Sequence, residues 1–86
     1  MNASTEAIRS DINKTVADLK TLRDEVRVKI HLAGMDARQT WQDLQPRLRD
    51  LDHEIERGGD ALTETVQQAA TDARDAVRRV WEQIRN

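Results

Sequence analysis

The chain has 86 residues, 35% of them charged, with 14 basic against 16 acidic side chains and a formal net charge of −2. That length holds one small domain, close to the size at which a single core barely offsets chain entropy, and the charge balance offers no general attraction to nucleic acid, so no nucleic-acid partner is expected. The lack of Cys excludes a disulfide framework and thiolate metal sites and fits a reducing compartment, while two Trp as the only aromatics, with no Phe or Tyr, argue against a β-type core.

The first six residues, Met1 to Glu6, have neither the basic start nor the apolar run of a signal peptide, and no apolar stretch approaches the roughly 20 residues of a membrane span. A cytoplasmic protein is the expectation. Ser4 or Thr5 is placed to cap a first helix, with Glu6 near its positive end. Apolar residues then follow at Ile8, Ile12, Val16, Leu19, Leu22, Val26, Ile30, Ala33, Ala37, Trp41, Leu44, Leu48, Leu51 and Ile55. Steps of three and four dominate, the mark of one apolar helical stripe. The segment Val26 to Leu32 also alternates like a strand, but a lone strand between helices has nothing to pair with. Read as helix, it places Val28, Leu32 and Met35 on a second stripe, so the middle of the chain is apolar on more than one side.

Two residues interrupt this reading. Gly34 is a candidate break, with Asp36 and Gln39 spaced like a capping box. Pro46 loses a backbone hydrogen bond inside a helix, yet Leu44 and Leu48 keep the stripe in phase across it, which predicts a bend rather than a stop. Between Val26 and Leu44 the stripe advances at close to 3.6 residues per turn, and this periodicity favours one helix over about residues 5–57. Gly58-Gly59 ends it, with the tight turn at Arg57-Gly58-Gly59-Asp60, and Asp60 is placed to cap a second helix over about 61–85. That helix carries Leu62, Val66, Ala69, Ala73, Ala76, Val80 and Ile84, with Arg78, Arg79 and Arg85 in its last turns.

Folding back at the turn predicts an all-α antiparallel hairpin within a single domain, with layers Ile55–Leu62, Leu51–Val66, Leu48–Ala69, Leu44–Ala73, Trp41–Ala76 and Ala37–Val80. Beyond the turn, large side chains face alanine, which lets the backbones approach. A helix over 5–57 would be roughly 80 Å long, and its partner covers about half of it. Residues 8–30 would then expose a full apolar stripe. The solution favoured by the two-sided middle is a homodimer, a four-helix bundle in which Ile8, Ile12, Val16, Leu19, Leu22, Val26, Val28, Ile30, Leu32 and Met35 form the self-association surface. The alternative is a monomeric three-helix bundle broken near Gly34, which also forms acceptable layers of Leu19 with Leu51, Leu22 with Leu48, and Val26 with Leu44.

The run from Leu22 to Ala37, extending towards Trp41 and Pro46, resembles a segment of small, uncharacterised bacterial helical proteins. The resemblance covers under half the chain; it implies a bacterial cytoplasmic helical protein and no activity, ligand or catalytic residue.

The candidate sites are few. His31 and Met35 lie four apart. Asp50 and His53 lie three apart, like the carboxylate-x-x-His pair of di-iron bundles, but no second matching pair completes the ligand set, so both read as surface residues. No Ser or Thr sits in a nucleophile setting and no phosphate loop is present, which predicts no enzyme activity, no catalytic residue and no cofactor. Val77, Val80, Trp81 and Ile84 make a wider face than the hairpin seam needs. Flanked by arginines, it is either a membrane-surface or nucleic-acid patch or a cover for a partner's overhang, and the acidic balance elsewhere favours the cover. Arg23 and Arg27, near Asp24 and Glu25, read as a solvated face with weak pairs. The function expected is that of a structural interaction protein, a helical scaffold engaging a protein partner. The alternatives are an amphipathic lipid- or granule-surface binder and, behind it, a metal-binding bundle.

Overall fold

The computed structural model describes residues 3–58 and 62–85, with side chains from residue 7 onward. Within these, three helices form a rod of 48 × 20 × 17 Å: α1 (Ala3–Lys29), α2 (Met35–Arg57) and α3 (Glu64–Arg85), with a 3₁₀ turn at Ile30–Leu32 between the first two. No strand occurs among the described residues. The path runs up, down and up, so α1 and α3 are parallel neighbours. Gln67 donates to the Asp11 carboxylate at one end (3.3 Å), and the Lys29 ammonium lies 5.1 Å from the centre of the Trp81 ring at the other.

The continuous helix expected over 5–57 is therefore interrupted, at the Gly34 alternative. Ala33 (φ −82°, ψ 156°) and Gly34 (φ −71°, ψ 173°) are extended, and these two residues turn the chain back on itself. The break forgoes a few backbone hydrogen bonds, each worth about 0.5–1.5 kcal/mol net. Part of this is recovered by the Ala33 N–H to the Ile30 carbonyl (3.0 Å) and by the Arg38 guanidinium to the His31 carbonyl (2.8 Å). In return Ile12, Leu19 and Val26 become buried, and Ile8, Val16, Leu22 and Ile30 pack against them. Full burial stabilises such side chains by about 1.5–3 kcal/mol each, so burial outweighs the lost bonds. Periodicity cannot report the break because the stripe stays in phase through it. Asp36 and Gln39 do not form the anticipated box: Gly34 caps α2 without a side-chain bond, and Gln39 donates to Asp43 instead (3.0 Å).

The stripe assigned to self-association is thus mostly the chain's own core. Its members Ile8, Ile12, Val16, Leu19, Leu22, Val26 and Ile30 face inwards, while Val28, Leu32 and Met35 stay exposed. The hairpin half also shifts. Leu44, Leu48, Leu51, Val66, Ala73 and Val80 are buried, and Trp41, Ile55, Leu62 and Ala76 pack at its margin. Ala69, however, is exposed, and Ala70 and Val77 are buried in its place. The reason is that α3 serves two neighbours rather than one. Its buried face rotates to lie between them, along Val66, Ala70, Ala73, Val77 and Val80. The small residues on that face let α3 approach both partners closely. Across from it, Leu19, Val26, Leu44, Leu48 and Leu51 keep the backbones of α1 and α2 further apart.

The ends show the same mix of agreement and change. The chain is already helical at Ala3, so Ser4 and Thr5 lie inside the first turn rather than ahead of it. α2 runs through exposed Pro46; the Gln45 side-chain amide donates to the Trp41 carbonyl (2.8 Å), next to the place where proline removes a donor. Gly58 adopts φ 59°, a left-handed conformation that glycine takes at no steric cost, and its N–H reaches the Ile55 carbonyl at 3.1 Å. Gly59, Asp60 and Ala61 lie outside the described residues, and with them the expected Asp60 cap. α3 begins at Glu64 instead of 61. The Thr63 hydroxyl oxygen accepts from the Val66 N–H (3.3 Å), satisfying one of the free amides at the helix start.

Candidate functional site

The α1–α2 corner is where the fold leaves apolar surface unspent. α1 reaches Lys29, tightens into the 3₁₀ turn, and α2 starts at Met35. Val28, Leu32 and Met35 fall on the outside of this turn, 69%, 66% and 85% exposed. They are the large apolar side chains left exposed among the described residues. Arg27, Lys29, His31 and Arg38 surround them in sequence, all exposed. Arg38 is held by its bond to the His31 carbonyl, and Lys29 is drawn over the Trp81 ring, an attraction between a cation and the ring quadrupole.

A second feature is a groove of about 590 Å³ between α2 and α3 near the opposite end of the rod. Leu51, Val66, Ala69 and Ala73 make its apolar floor, and Arg47, Asp50, Glu54 and Arg57 stand along its α2 side. The charges there balance, two of each sign, and Arg57 already pairs with Glu54 at 3.2 Å. The groove exists because Ala69 was turned out of the core and is too small to fill the space. It gathers no nucleophile with a base: its hydroxyls are Thr63, engaged as the α3 cap, and Thr65, with no histidine beside them. A smaller groove of about 280 Å³ between α1 and α2 is lined by Leu19, Lys20, Arg23, Asp52 and Ile55.

Asp50 and His53 are both exposed, and among the described residues no group of three or more His, Cys, Asp or Glu side chains is gathered to hold a metal ion. His31 and Met35 are separated by the helix break. The C-terminal face is spent inside the molecule: Val77 and Val80 are buried, and Trp81 and Ile84 pack against the core. The overhang they cover belongs to α1 of the same chain. Arg78, Arg79 and Arg85 remain exposed beside it. No described helix is long and apolar enough to cross a membrane.

Sequence reasoning missed two elements. Thr15 is buried in the α1 face of the core, in a position the stripe assigned to neighbouring Val16. Arg23, read as part of a solvated face, instead grips Asp52 of α2 through two bonds of 2.9 and 3.2 Å. The signal for the pair lay in the alternative fold, since a reversal at Gly34 brings residues 19–26 beside 44–52. Of the anticipated surface pairs, Arg27 and Asp24 approach only to 3.9 Å. Comparison with protein-family models, curated proteins and solved structures finds no match.

Proposed function

We propose that this chain is a non-enzymatic interaction protein, a helical-bundle scaffold that docks a protein partner through the apolar corner at Val28, Leu32 and Met35. The observation that carries the reading is the exposure of these three side chains, while the other large apolar groups among the described residues are buried or partly buried. Together they present on the order of 400 Å², within the range of patches that mark interaction sites on soluble monomers. A photo-crosslinking amino acid at Leu32, compared with one at exposed Arg49 on the polar side of α2, tests this in native extract. Protein adducts are expected at Leu32 and not at Arg49. Equal yields, or none at either position, would overturn the reading.

One observation favours the lipid- or granule-surface alternative. Arg27, Lys29 and Arg38 at the corner, with Arg78, Arg79 and Arg85 on the adjoining end of α3, outnumber Asp36 and Glu82 in the same two segments. A cationic, apolar tip of this kind suits an anionic bilayer surface. Vesicles containing phosphatidylserine would then shift the Trp81 emission, whereas phosphatidylcholine vesicles would not.

A further inference from the structure

The break between α1 and α2 has three properties that belong together. First, its sharpest departure from a helix lies in two torsions, beyond the milder one at Lys29 (φ −110°, ψ 0°). Ala33 and Gly34 have φ of −82° and −71°, already close to the helical value of about −63°. Only ψ, at 156° and 173°, departs from it. Second, it is lightly packed: a Cβ built at Gly34 meets no atom within 4 Å and none of the 3₁₀-turn residues is buried, although Ala33 is buried and Ile30 leans on the core. Third, the apolar stripe keeps helical phase straight through it, along Val26, Ile30, Ala33, Ala37, Trp41 and Leu44. Two helices that pack separately, joined by a turn, have no need of a common phase. A single continuous helix does.

We infer that the chain forms a homodimer by exchanging α1 between two copies, with residues 30–34 straightened so that α1 and α2 become one helix. Each α1 then occupies, in the other copy, the place between α2 and α3 that it occupies here in its own. The contacts of the buried core are kept, including the seating of Ile12, Leu19 and Val26 and the Arg23–Asp52 pair, now made between chains. What the dimer adds is the run of backbone hydrogen bonds that the turn forgoes, once in each chain. The interface is the whole inner face of α1, far larger than a surface patch, so a stable pair does not depend on new complementarity. In the straight helix Val28, Leu32 and Met35 fall on the side opposite the core stripe. The corner surface is therefore available in both forms, and the exchange stands apart from the docking proposed above.

Position 34 separates the two forms. Its φ of −71°, the extended Ala33 before it and the absence of a hydrogen bond from its N–H suit proline in the bent chain. Proline there removes a bond and clashes in the straight one. Light scattering coupled to size exclusion, over micromolar to millimolar protein and after refolding at high concentration, reads the outcome. Wild type is expected to add a species of twice 9.9 kDa as concentration rises, Gly34→Ala to raise its share several-fold, and Gly34→Pro to stay at 9.9 kDa with unchanged helix content. A dimer that persists in Gly34→Pro, or monomer alone in both wild type and Gly34→Ala, overturns the inference. A second readout needs no variant. Lys20 and Asp52 line one groove between α1 and α2, so an amine-to-carboxyl zero-length cross-linker applied to mixed heavy- and light-isotope dimers should join them between chains. Same-chain links alone would overturn the exchange even where a dimer exists.

Discussion

Arg23 and Asp52 offer the most direct measurement of the three-helix arrangement, because within one chain the pair exists only if the chain reverses near Gly34. On one straight helix the two residues would sit roughly 43 Å apart. In the bundle the guanidinium meets the carboxylate at 2.9 and 3.2 Å. The side chains are 20% and 41% exposed, so solvent screens the attraction in part. Exposed pairs contribute about 0.2–1 kcal/mol, and a two-pronged, half-covered pair belongs at the upper end. Arg23→Ala is expected to cost about 1–1.5 kcal/mol, more than the pair alone, because the largely covered arginine stem lines the α1–α2 groove together with Leu19 and Ile55. Asp52→Ala should cost about 1 kcal/mol, and the double variant less than the sum, leaving a coupling of about 1 kcal/mol. Urea unfolding of the four proteins, held at a concentration where the mass is 9.9 kDa, gives the cycle. The coupling should shrink in 1 M salt. A coupling within about 0.3 kcal/mol of zero at low salt would refute the placement of α1 against α2.

The other predictions concern single positions. Thr15→Val replaces the hydroxyl of a buried residue with a methyl of similar shape and should stabilise the bundle by up to about 1 kcal/mol, read as a Tm rise of a few degrees. Ala70→Leu overfills a fully buried site and should cost about 1–3 kcal/mol. Ala69→Leu, one residue earlier but on the open groove floor, should stay within about 0.5 kcal/mol of wild type; matching losses at both positions would contradict the rotated α3 face. Thr63→Ala removes the cap on the Val66 amide and should cost about 1 kcal/mol, with the loss of helicity confined to the start of α3.

The helical nature of the chain, several of the apolar positions that α2 and α3 bury (Leu44, Leu48, Leu51, Val66, Ala73 and Val80), and the glycine stop at residue 58 are all legible in side-chain spacing. They are local facts, or they follow from local facts by a short hairpin. The break at Gly34 is a different kind of event. It is decided by burial of Ile12, Leu19 and Val26 against residues more than 40 positions away, and a stripe that stays in phase conceals it. The exchange of Ala69 for Ala70 has the same origin, since the buried face of α3 depends on how many neighbours it serves. Thr15 was hidden because its type does not mark a core position. At the candidate site, Val28, Leu32 and Met35 stood out in the sequence as a second stripe. That they would be left on the outside of a corner followed only once the corner existed.

The parallel pairing of α1 with α3 joins the first and third of the described helices, and this sets an order on the ribosome. α1 and α2 emerge first, yet their large side chains hold their backbones apart and leave a gap that only Ala70, Ala73 and Val77 can close. Until the 22 residues of α3 have been made, the α1 stripe has no permanent cover. For that interval the nascent chain displays Ile12, Leu19 and Val26 to whatever is near, and on a crowded message the nearest object is another copy of itself. The alanines of α3 thus do more than fill a core: their arrival after α1 and α2 sets how long each chain is open to its siblings.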